Sequence, residues 1–85
     1  MDFSKECTVF ILALSATKEK IAVRYDRPAQ ATDAALAKEA GLIFTDMRQK
    51  GERNIQELVA IYIARSQAQL DDFLRGAVIA DGADD

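Results

Sequence analysis

Two interruptions set what this chain can build. The first is Asp26-Arg27-Pro28, where the proline ring disfavours a helical residue before it, and the second is Lys50-Gly51-Glu52-Arg53-Asn54, a helix-closing glycine followed by a capping asparagine. Together they divide 85 residues into three stretches of similar length, none large enough to be a domain by itself. The chain is one domain. A domain of this size buries only roughly 60 to 65% of its unfolded surface, so every stretch has to contribute an apolar face. With 49% apolar and 29% charged residues the chain sits well away from the low-hydrophobicity regime of disorder, and it should fold alone or with a partner.

The third stretch has the strongest periodicity. At 100° per residue Ile55, Leu58, Val59, Tyr62, Ile63, Leu70, Phe73 and Leu74 fall on one arc about 160° wide, opposite Glu57, Asp71 and Arg75. That spacing predicts a helix, with Asn54 as its cap and Glu57, three residues on, completing a capping-box-like pair. In the second stretch Leu36, Ala40, Ile43, Phe44 and Met47 share a face, which predicts a helix from about residue 32 to 50. Thr32 and Asp33 are candidate caps, and Arg48 and Lys50 suit the negative end of its dipole. Gly41 inside that helix costs roughly 1 kcal/mol against alanine, which leaves open a shorter helix followed by an extended Leu42-Ile43-Phe44-Thr45 piece.

The first stretch fits two patterns. As a helix it carries a heptad-like stripe of Phe3, Cys7, Phe10, Leu14, Ile21 and Tyr25, with Val9, Leu12 and Val23 left on the opposite face. As strands, Thr8 to Leu14 and Lys20 to Tyr25 form a hairpin across residues 15–19, which suits their β-branched and aromatic content. The fold class expected is mainly α: a compact helical bundle of two or three long helices, with an N-terminal β-hairpin as the α+β alternative. Residues 1–79 form the helical domain, and 80–85 are expected to be a frayed acidic tail.

Composition narrows the chemistry. Residues 1 to 75 hold equal numbers of basic and acidic side chains, and the net charge of -3 comes from Asp81, Asp84 and Asp85. A neutral body lacks the broad basic field that gives non-specific affinity for nucleic acid. Without histidine and with Cys7 alone, no histidine-based triad, zinc constellation or intrachain disulfide can be assembled. The four glycines, at 41, 51, 76 and 82, make no phosphate-binding loop. Paired acids such as Glu39 and Asp46, or Asp71 and Asp72, read as solvated faces, and Cys7 reads as a small buried hydrophobe. No catalytic, cofactor-binding or metal residues are therefore expected, and no enzyme. The apolar run Val9 to Leu14 ahead of Ser15-Ala16 is short, and its acidic leader is wrong for a secretory signal. A cytoplasmic protein that does not enter a membrane is expected.

Apolar surface is in surplus. Ile61 lies about 140° from the centre of the helical stripe, and with Val9, Leu12, Val23 and Leu42 it outlines a second apolar surface beyond what one core claims. The expected function is a small non-enzymatic protein–protein interaction module, an adaptor, chaperone-like subunit or inhibitor. Its partner would be a second copy in a homodimer or a larger protein.

A different reading follows if Lys20 to Tyr25 is a strand. Strand, helix, Gly51 turn and helix over residues 20–74 then resembles the ribbon-helix-helix transcription regulators, whose paired strands enter the DNA major groove. The resemblance implies a dimeric regulator in which Lys20, Ala22 and Arg24 face the bases, while Ile21, Val23 and Tyr25 face the core. Arg27 would add a further DNA contact.

Overall fold

A computed structural model describes residues 2–82, and side-chain environments through Gly76. Strands β1 (Glu6–Ser15) and β2 (Lys20–Pro28) form a hairpin, followed by helix α1 (Asp33–Gln49), a short 3-10 turn (Glu52–Asn54), strand β3 (Ile55–Ala64) and helix α2 (Gln67–Gly82). The sheet order is β2-β1-β3, and β1 pairs antiparallel with both neighbours. This is an α+β fold, not a helical bundle.

The hairpin alternative therefore holds for the first stretch, and the helical reading fails, because β1 is buried on both faces. Cys7, Val9, Ile11 and Ala13 point to one side and pack with Ile21, Leu36, Ala40, Phe44 and Ile55 beneath α1. Thr8 and Phe10 are buried on the other side, and Leu12 and Leu14 are half-buried there. A strand covered twice reads as a continuous apolar run, with no alternation to distinguish it from a helix. In β2 the alternation survives: Ile21 is buried, Val23 and Tyr25 pack on the core, and Ala22, Arg24 and Asp26 are exposed.

Helix α1 matches its expected span. Thr32 is extended and its hydroxyl accepts from the Ala35 N–H at 3.1 Å, which satisfies one of the free donors of the first turn. The helix continues through Gly41, so no extended piece forms at Leu42 to Thr45. It closes at Gly51, whose φ of +71° is the left-handed conformation that glycine adopts without strain.

The long third helix is not formed. Asn54 does not cap a helix: its φ is +55° and its carbonyl accepts from the Ala16 N–H at 3.0 Å, joining the α1–β3 turn to the hairpin loop. The chain then runs as β3 alongside β1, where Val59, Ile61, Tyr62 and Ile63 have the branched and aromatic shapes that pack on a pleated surface. Helix begins only after Ser66, whose hydroxyl accepts from the Gln69 N–H at 3.1 Å while the Gln69 side chain accepts from the Arg65 N–H at 2.7 Å. That reciprocal pair starts α2 in the manner of a capping box. Helix α2 covers the sheet face opposite α1, with Leu70 buried against Phe10 and Ala64. The Phe73 ring lies 4.1 Å from Phe10 and stacks on Tyr62 at 4.8 Å between centroids. Helix α2 extends to Gly82, into the segment read as a tail, and residues 83–85 lie outside the described residues.

Arg65 ties the two sides of the sheet together. Its guanidinium donates to Asp33 at 2.7 Å and to the carbonyls of Ala29 and Ala31 at 3.0 and 2.6 Å, which pins the β2–α1 loop to the β3–α2 junction.

The burial pattern gives a direct stability test. Ile11→Ala should lose about 2 to 5 kcal/mol in urea denaturation, because a fully buried side chain leaves a cavity between sheet and helix. Leu42→Ala, at an exposed helix position, should lose less than about 1 kcal/mol. Equal losses at the two positions would contradict the fold.

Candidate functional site

The two edges of the sheet differ in chemistry. The β2 edge carries Lys20, Arg24, Asp26 and Arg27 and ends at Pro28, the charged and proline-terminated composition that discourages pairing with another strand. The β3 edge carries no charge from Leu58 to Ala64, and among the described residues no strand pairs with its outer side. Val59 is 57% exposed there, and Leu58 is exposed beside it. The reason is a register shift between Leu12 and Ala13. Leu12 pairs with Ala60 but Ala13 pairs with Leu58, so Val59 is an extra residue that bulges from the strand. Beyond it, Ala60 to Ala64 run regularly against Leu12 to Thr8.

An open cleft of about 370 Å³ adjoins this edge, between β3 and α2, lined by Leu12, Ala60, Ile61, Tyr62, Phe73 and Gly76, with Asp72 at its rim. Asp72 is paired with Arg75. The tyrosine wall is held rigid, since the Tyr62 hydroxyl donates to the Gln69 carbonyl at 3.2 Å and its ring stacks on Phe73. Edge and cleft form one surface on which an added strand could make main-chain hydrogen bonds while alternate side chains enter the cleft.

The five residues expected at an interaction surface are divided by the fold. Leu12 and Ile61 line the cleft. Val9 is fully buried beneath α1, and Val23 is half-buried against the same core, so neither is available to a partner in this fold. Leu42 is 63% exposed on α1 but does not line the cleft. Leu58, Val59, Ala60, Tyr62 and Phe73 join this surface outside the sequence expectation, because the helical arc places most of them in a core. The signal that finds them is a seven-residue run without charge or proline, read as a strand edge.

The residues expected to touch DNA are also separated. Arg24 lies over the Phe10 ring at 5.6 Å on the α2 side, and Lys20 is exposed at the start of β2. Arg27 is on the α1 side, bonded to Glu39 at 2.7 Å and stacked 4.5 Å over Tyr25. The strand that would form a two-chain ribbon instead pairs with β1 of its own chain, and β3 stands where the second helix of a ribbon-helix-helix protein belongs. The topology differs from that family. Beneath Arg27 the Tyr25 hydroxyl is buried without a hydrogen-bond partner among the described residues. Burial, and then the charge of Glu39, hold that phenol above its ordinary value, while Arg27 opposes them. Among the described residues no three His, Cys, Asp or Glu side chains are grouped to hold a metal ion.

Ile61 and Val59 should differ in their tolerance of charge. Ile61 packs on the α1 core, so Ile61→Asp should lower the melting temperature by about 10 °C or more through an unpaired, partly buried carboxylate. In protein dilute enough to be monomeric, Val59→Lys should shift it by no more than about 5 °C, since the side chain is exposed on the single chain. Thermal melts followed by circular dichroism decide this, and an unaffected Ile61→Asp protein would remove Ile61 from the core. Comparison with protein families, curated proteins and solved structures finds no match to this chain, so the assignment of the surface rests on its geometry.

Proposed function

We propose that this chain is a small non-enzymatic protein–protein interaction module that binds through the outer edge of β3. The observation that supports this reading is the exposure of Leu58 and Val59 on an uncharged strand edge beside an apolar cleft. Edges of this kind are otherwise protected by charge, proline or a covering segment, as β2 is by its own residues. In a monomer the edge is a liability, and in a complex it supplies hydrogen-bonding groups and apolar area together. The cytoplasm is the compartment we assign to it, because the lone Cys7 is enclosed in the core and needs no oxidising environment. No helix among the described residues is long and apolar enough to cross a membrane.

Site-specific photocrosslinking in the native host tests the proposal. A photoreactive residue at position 59 should give discrete adducts, and the same residue at position 42, equally exposed on α1, should give none or far fewer. No adduct from position 59, or the same adducts from both positions, would count against a binding edge at β3.

A further inference from the structure

We infer that the strand received by β3 is β3 of a second copy, paired antiparallel about a two-fold axis at Ile61; this rests on the edge-binding reading above. A two-fold interface uses one patch on both copies, so the patch has to complement itself. Centred on Ile61, the pairing sets Ala60 beside the partner's Tyr62 and Val59 beside the partner's Ile63, which places a small side chain against a large one at the cleft. Ala60 and Tyr62 lie on the same face in the regular part of β3, so the small and the large side chain meet on the cleft side of the sheet.

Closure also favours a second copy. Joining two β3 edges makes a six-stranded sheet ordered β2-β1-β3-β3-β1-β2, in which both unprotected edges are internal and both outer edges are the charged, proline-ended β2. Growth stops at two, because no open edge remains that favours pairing. The bulge at Val59 limits the regular ladder about this axis to Ala60 through Tyr62, since Ile63 and Ala64 face the partner's Val59 and Leu58, and it adds local twist, so the association has a short hydrogen-bonded centre flanked by apolar contacts.

Sedimentation equilibrium on the full chain at roughly 50 µM tests the inference, with variants Val59→Lys and Leu42→Lys. A dimeric wild type is expected. Val59→Lys should weaken the dimer at least about a hundredfold at an unchanged fold, because two unpaired ammonium groups would be brought to the interface. Leu42→Lys should leave it dimeric, because that side chain lies on α1 away from the edge. A monomeric wild type, a dimeric Val59→Lys protein, or a monomeric Leu42→Lys protein would each overturn the inference. If the wild type is monomeric yet position 59 still crosslinks to a different protein, the edge-binding reading stands and the second copy is excluded. If neither is seen, both fail.

Discussion

The structure depends on one strand being covered twice. β1 has a hydrogen-bonded neighbour on each edge and a helix over each face, so both α1 and α2 are positioned by side chains of the same ten residues. Cys7, Val9, Ile11 and Ala13 decide where α1 sits, and Phe10 decides where Phe73 and hence α2 can pack. In a chain this small, burying both faces of the central strand extracts the most apolar contact from the fewest residues. Arg65 then holds the periphery by fixing the β2–α1 loop to the end of β3, an interaction made with three separate backbone or side-chain acceptors.

That double coverage explains which elements are legible in the sequence. Helix α1 is legible because one face is solvated: its periodicity, its Thr32 cap and its Gly51 terminus give bounds within a residue of those found. β2 is legible as a strand for the same reason, through the alternation of Ile21, Val23 and Tyr25 with Ala22, Arg24 and Asp26. β1 has no solvated face and so no period. β3 and α2 together fit the pattern of one helix because their apolar positions coincide with a helical arc, and Asn54 with Glu57 imitate a cap. The sequence does contain the correct start signal, Ser66 with Gln69 three residues on, inside what periodicity treats as a continuous helix. The concentration of Ile, Val and Tyr in Ile55–Ala64 is a second sign of a strand there.

The period of this segment also decides which residues reach the surface. On a helix, Leu58 and Val59 belong to a core and Ile61 points outward. On a bulged edge strand Val59 points outward and Ile61 packs inward, so the assignment is reversed at Leu58, Val59 and Ile61 but kept at Ile55, Ile63 and Leu70. Surplus apolar surface was legible from composition and patterning alone, but its location was not, because location depends on which period is real. Of the residues singled out in the sequence, Leu12 and Ile61 meet at the cleft. Val9 and Val23 serve the core beneath α1. The charged β2 edge and the uncharged β3 edge become meaningful only once the strand order is known.

The central claim is that β1 is flanked by β2 and β3, and cross-strand nuclear Overhauser contacts test it most directly. A NOESY spectrum of the isotope-labelled protein should connect the backbone of Ile11 to both Val23 and Ile61, and that of Phe10 to both Arg24 and Tyr62. Contacts from residue i to i+3 throughout residues 55–64, with no cross-peaks to β1, would contradict the account.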